Sequence, residues 1–157
     1  EPLRSLVDPN DPVFFEPGDM PARIRAACVA RGEPDPDTDA AIIRCALDSI
    51  ALATAQAARE VATIASFDAR RIVIVGGGSA NALLNQLIAD ASGLVVEAGP
   101  VECTAIGNAL MQYAALEGIT SAATLRDIVR RASQLRRFEP DFRATSRMSA
   151  AAARLAR

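Results

Sequence analysis

The sequence of 157 residues has no histidine and no tryptophan, one tyrosine and five phenylalanines. Without histidine, the commonest transition-metal ligand and the one side chain that titrates near neutrality are both gone. The three cysteines, at positions 28, 45 and 103, match no zinc spacing, so a metal centre is not expected. There is no long charge run, and the net charge of −2 is opposite in sign to the basic balance that nucleic acid selects. No uncharged apolar stretch approaches the roughly 18 residues that span a bilayer. The opening Glu1-Pro2-Leu3-Arg4 lacks the apolar run of a signal peptide. Together these absences lead us to expect a soluble cytoplasmic protein with reduced thiols and no nucleic-acid or membrane partner. The chain opens on Glu1 rather than Met, which fits a piece of a longer polypeptide.

What is present is mostly small and apolar. Half of the chain is hydrophobic, and one domain of this length buries about two thirds of its unfolded surface. Residues 1–20 read as loop, since Asp8-Pro9-Asn10-Asp11-Pro12 is dense in turn formers. Asp19 is placed to cap a short helix, with Pro21 near its first position and Gly32 past its end. Asp37 or Thr38 then opens a long helix to about Ala65. Along it Ile43, Leu47, Ile50, Thr54, Ala57, Val61 and Ile64 recur at helical spacing.

The character changes at Ile72-Val73-Ile74-Val75, four β-branched residues that predict a strand buried on both faces. Gly76, Gly77 and Gly78 stop the strand and free the backbone for a sharp turn. Ser79-Ala80-Asn81 lead into a helix that places Leu83, Leu84, Leu87, Ile88 and Ala91 on one face and Asn85, Gln86 and Asp90 opposite. Gly93 ends that helix, and Leu94-Val95-Val96 supplies a second strand. Strand, helix, strand is a βαβ unit with parallel strands. A helix from about Glu102 to Glu117 is expected to bury Ile106, Ala109, Leu110 and Tyr113, with Gly107 permitting close packing and Glu102 at its cap. Another helix runs from Thr120 or Ser121 to about Ala132. Residues 134–157 read as an irregular or helical tail, broken by Pro140 and ending in an alanine-rich helix from Ser149 that frays. Two strands make no stable sheet, so its other strands are expected outside this chain. The long helix before Ala65 and the helix after Glu102 are the expected covers of its faces.

A strand, a glycine turn and a helix N-terminus form an anion or nucleotide site, because free N–H groups and the positive end of the helix dipole point above the strand. Three readings stand. The plainest is a tight turn with packing glycines. A dinucleotide fold is the second: Gly76 and Gly78 fit its first two glycines, and Glu97 closes the second strand where a ribose-binding acid belongs. Against it, Asn81 replaces the third glycine and no further βα repeats follow. Asn81 is either a nucleotide ligand, with a donor and an acceptor to offer, or an ordinary helix-start residue. Elsewhere, Cys28 and Cys45 lie on adjacent expected helices and read as buried free thiols. Asp8, Asp11, Asp48 and Asp90 read as turn, surface or helix-face charges, and Arg126, Arg130, Arg131, Arg136 and Arg137 as a solvated face.

The third reading comes from a resemblance. The run from Gly76 to Asp90, GGGSANALLNQLIAD, resembles the adenosine-binding segment of the FGGY carbohydrate kinases, as does the continuation GLVVEAGPVECTAIGNA from Gly93 to Ala109. The likeness extends from about Val7 to Gly118. Asp8-Pro9-Asn10-Asp11 and the run from Cys45 to Leu52 resemble most the members that act on L-rhamnulose. The resemblance implies an α/β fold: the C-terminal portion of an actin-like ATPase (ribonuclease H-like) domain, helix-rich with a βαβ unit, taken from the family's second, nucleotide-binding domain. It implies ATP with Mg2+, with Gly77 and Asn81 at the adenine nucleotide and Gly76 and Gly78 shaping the turn. The family's phosphate loops, magnesium carboxylate, sugar contacts and catalytic aspartate all lie upstream of the matched segment. The sugar and Mg2+ are therefore expected on an N-terminal part, and this segment alone is expected to be inactive, because phosphoryl transfer needs a base and a metal. A family kinase for xylulose, fuculose or glycerol, and a non-catalytic nucleotide-binding module, stay open as alternatives.

Overall fold

The computed structural model describes residues 1–155. Its helices and strands follow in the order α1 (Met20–Ala30), α2 (Asp39–Ile64), β1 (Arg71–Ile74), α3 (Ala82–Ser92), β2 (Val95–Ala98), α4 (Cys103–Glu117), α5 (Ala122–Ala132), β3 (Arg136–Phe138) and α6 (Phe142–Leu155). The helix starts follow the local chemistry. The side chains of Asp19, Thr38, Asn81 and Ser121 accept from the N–H groups of Ala22, Ala41, Leu84 and Thr124, each occupying a donor that the helix itself leaves unused.

The sheet is mixed, with order β1-β2-β3. β1 and β2 are parallel across the α3 crossover, with Ile72 opposite Val96 and Ile74 opposite Ala98. β3 runs antiparallel to β2, with Phe138 opposite Val96. This third strand lies in the charged stretch expected as an irregular or helical tail, and it supplies from within the chain a strand that was expected outside it; alternation over only three residues carries no periodic signal. The tail helix also begins earlier than expected, at Phe142, and buries Met148 and Ala151. The last two residues of the expected tail helix lie outside the described residues.

α3 is the organising layer. Its Leu87, Ile88, Ala89 and Ala91 share one core with Ala51, Leu52 and Ala55 of α2, Val96 of β2 and Met148 and Ala151 of α6, with Ile72, Ile74 and Phe138 packed against it. Burial of each large side chain among these contributes about 1.5–3 kcal/mol. Enclosure by α2, α6 and the sheet explains why Asn85 and Asp90, expected on a wet face, are buried, whereas Leu83 is exposed. Asp90 accepts from Gln86 Nε2 and from the Asp141 N–H, joining α3 to the start of α6.

The sheet itself is covered on one face only. β1 alternates between exposed and half-buried positions, with Arg71 and Val73 on the open face, so the strand is not sandwiched as its sequence suggested. The expected covers differ too. α2 packs behind α3, and among the residues of α4 only Ala114 is buried. Tyr113 and Leu116 are exposed, Ile106 and Leu110 half-buried. A Cβ built on Gly107 meets nothing within 4 Å, so no close helix packing requires that glycine.

α2 is long and apolar enough to cross a membrane by length and composition alone. Here Cys45, Asp48, Ser49, Ala51, Leu52 and Ala55 line its core-facing side. Asp48 is not a surface charge: its carboxylate accepts from Arg44 Nε at 2.9 and 3.0 Å and from the Leu3 N–H at 2.7 Å. With Ser49 Oγ accepting from the Val7 N–H at 3.0 Å, α2 holds the N-terminal segment in place. Arg154 closes the same seam from α6, donating to the carbonyls of Leu3 and Arg4 and to the Glu33 carboxylate. Cys28 and Cys45 are buried free thiols as expected, and their sulfurs lie 3.6 Å apart. Burial pushes both thiols up, Cys45 to about 12, with Cys28 beside it adding to the shift.

Candidate functional site

The glycine turn sits at the C-terminal end of β1. Gly76 has φ 76° and ψ −164°, a backbone region essentially closed to residues with a Cβ. Gly77–Ala80 then forms one 3-10 turn, capped by Asn81 as α3 begins. The structure thus brings Gly76, Gly77, Gly78 and Asn81 together at one strand-to-helix corner.

Two features distinguish this corner from a plain reverse turn. Below, it is anchored by buried groups. The Ser79 N–H and hydroxyl both donate to the Gly76 carbonyl, at 3.0 and 2.7 Å, and Asn85 Nδ2 donates to the Ser79 carbonyl at 2.9 Å. The Gly76 N–H donates to Pro100 O at 3.0 Å, tying the turn to the loop between β2 and α4. Above, it is bare. Gly77, Gly78, Ala80 and Asn81 are exposed, and a Cβ built on Gly76 or Gly77 meets nothing within 4 Å. Nothing in the fold therefore requires Gly77 to lack a side chain. Its amide and that of Gly78 lead the 3-10 turn, so the turn's own hydrogen bonds do not consume them. The α3 dipole adds partial positive charge at the same corner.

Asn81 shows the helix-start role directly: its Oδ1 accepts from the Leu84 N–H at 3.0 Å. The acceptor is thereby used and the Nδ2 donor remains. Glu97, the ribose-binding acid of the dinucleotide reading, instead lies on the open sheet face, 3.6 Å from Arg71 Nε and in register with Arg137. Glu102 occupies the α4 cap position without a side-chain cap bond. Among the described residues, no three His, Cys, Asp or Glu side chains are grouped to hold a metal ion.

Sequence reasoning missed the support. Ser79 and Asn85 are 3% and 0% exposed, yet the helical pattern put Asn85 on the polar side. The usable signal was its spacing: Asn85 is four residues after Asn81 and three before Ile88, and so lies beneath the turn at the margin of the apolar face.

The sequence that builds this corner has known relatives. Residues 1–116 match the FGGY family of carbohydrate kinases, C-terminal domain, and the chain belongs to that family. It is 41% identical over 138 residues to a rhamnulokinase of Klebsiella pneumoniae, which covers 88% of this chain and 28% of the relative. It is 38% identical over 140 residues to a rhamnulokinase of Bacteroides thetaiotaomicron, covering 89% of this chain and 29% of the relative. The chain thus spans less than a third of the length of these curated relatives. It is a helix-rich α/β carbohydrate-kinase C-terminal domain, and the dinucleotide reading of the glycine turn gives way to that family.

Proposed function

We propose that this chain is the adenine-nucleotide-binding part of a kinase that transfers the γ-phosphate of ATP to L-rhamnulose, and that it forms the C-terminal portion of the second, actin-like domain of such an enzyme. The observation that carries the reading is the glycine corner: anchored from below, bare above, and backed by a helix N-terminus. In this reading the nucleoside lies flat against Gly77, whose missing side chain leaves room for ribose and α-phosphate. The Gly77 and Gly78 amides and the α3 dipole meet phosphate oxygens, and Asn81 Nδ2 donates to the nucleotide. Gly76 and Gly78 shape the backbone. Mg2+ and the sugar bind to residues N-terminal to this segment, and the segment alone does not turn over. Rhamnulose is favoured over xylulose, fuculose or glycerol because the relatives quoted above are rhamnulokinases.

The test is Gly77→Val in a polypeptide of the relatives' full length. The added side chain fits the fold but fills the ligand space, and overpacking of about 1–3 kcal/mol raises the KM for ATP roughly ten- to hundredfold. Sugar affinity measured without nucleotide stays unchanged. A folded variant with an unaltered ATP KM overturns the assignment.

A further inference from the structure

We infer that Asn85 and Ser79 are positioning residues for nucleotide, holding the glycine corner in its binding shape from beneath without touching the ligand. The inference rests on the nucleotide reading above and extends it to two side chains that face the interior.

Three consecutive glycines carry the greatest backbone freedom a chain can have, and ordering them costs more than ordering any other residues. Their own side chains supply nothing to offset it. The shape at this corner must be imposed from outside the glycines, and two side chains impose it. Ser79 doubles the bond to the Gly76 carbonyl, through its N–H at 3.0 Å and its hydroxyl at 2.7 Å, which fixes the first peptide of the turn. Asn85 Nδ2 reaches back six residues, out of α3 to the Ser79 carbonyl at 2.9 Å, which fixes the far side of the turn.

Asn85 does this at a cost. Its side chain is fully buried, and Oδ1 has no hydrogen-bond partner among the described residues. A buried polar atom left unpaired is destabilising, so an apolar residue of similar size suits the α3 interior better in every respect except the bond to the turn. The amide stands at this position for the corner above it.

The experiment compares Asn85→Leu and Ser79→Ala with Gly77→Val and with Met148→Ala, a core truncation on α6 away from the corner, all in a polypeptide of the relatives' length. Asn85→Leu keeps the volume and removes both the donor and the orphaned acceptor; Ser79→Ala is the milder change and keeps the inference testable if the first variant fails to fold. Loss of one such bond raises the KM for ATP about tenfold, with the KM for sugar unchanged and kcat at saturating ATP within about twofold. Met148→Ala lowers thermal stability and leaves the ATP KM in place. An ATP KM raised by Gly77→Val but not by Asn85→Leu or Ser79→Ala overturns this inference alone. An ATP KM unmoved by Gly77→Val overturns the nucleotide reading and this inference with it. An ATP KM raised equally by Met148→Ala assigns the effect to general loosening and also overturns it.

Discussion

Asp48 offers the sharpest test of how this fold is held. Its side chain is 1% exposed, while that of its partner Arg44 is 25% exposed. Removing one member of a buried ion pair costs about 3–5 kcal/mol when the other is left stranded. Arg44 can turn toward water, which places Asp48→Ala near the bottom of that range, about 3 kcal/mol. The Leu3 N–H also loses its acceptor, adding about 1 kcal/mol. At about 2–4 °C per kcal/mol for a chain of this size, the midpoint falls by roughly 8–16 °C. Asp48→Asn keeps an acceptor for Leu3 and loses the charge, so it falls between wild type and Asp48→Ala. Thermal melts followed by circular dichroism, with urea titrations as a check, measure the series. A midpoint for Asp48→Ala within about 2 °C of wild type would refute the claim that this carboxylate ties the N-terminal segment to α2.

Two further outcomes follow from the backbone and the thiols. Gly76→Ala puts a Cβ where φ is 76° and ψ is −164° and costs about 1–3 kcal/mol, whereas Gly77→Ala leaves the urea midpoint unchanged because its Cβ meets open space. Cys45 is raised from an ordinary 9 to about 12, so the folded state holds its proton more tightly than the unfolded state. Its contribution is complete below pH 9 and is lost as pH climbs from about 9 toward 12. Titration with a disulfide reagent at pH 8 should therefore label Cys103 quickly and Cys28 and Cys45 only on unfolding; fast labelling of all three would contradict the buried pair.

The local signals in the sequence were strong where one residue sets the geometry. Asp19, Thr38, Asn81 and Ser121 mark helix starts because a cap needs only a short side-chain oxygen; Asp19 caps as expected, the structure selects Thr38 over Asp37 and Ser121 over Thr120, and Asn81 takes the helix-start role that was one of its two readings. Gly93 ends α3 with φ 72°, for the same local reason. What was not legible depends on which layers meet. Ile72 to Val75 read as doubly buried because β-branched residues look alike on a covered and on an open face, and the open face of this sheet carries Val73 and Val75 at 56% and 49% exposure. The burial of Asn85, Asp90 and Asp48 follows from α3 and α2 being wrapped by other elements, which no single-helix pattern contains. β3 escaped because a three-residue strand is recognised by its partner β2, not by its own residues. At the candidate site the same division holds: the glycines were legible, and the buried groups that hold them were not.

Asn81 joins the two halves of that division, since its two readings are not exclusive. Oδ1 is committed to the Leu84 N–H, and a capped side chain is fixed in one orientation, so Nδ2 is presented at the bare surface without further loss of side-chain entropy. Asn81→Asp separates the two roles. Asp caps as well as Asn, within a few tenths of a kcal/mol, and the helix dipole welcomes its charge, so the melting midpoint stays within about 1 °C or rises. In the proposed enzyme the same change replaces a donor with an anion beside a bound nucleotide. Losing a hydrogen bond and gaining repulsion costs about 1.5–3 kcal/mol, which raises the ATP KM roughly ten- to hundredfold and more at low salt than at high. Asn81→Ala shows the converse pattern, losing about 1 kcal/mol of stability with the cap as well as the donor. Steady-state kinetics at two ionic strengths, beside melts of the same preparations, separate the roles. If the Asp variant is as stable as wild type and binds ATP equally well, Asn81 is a helix cap and nothing more.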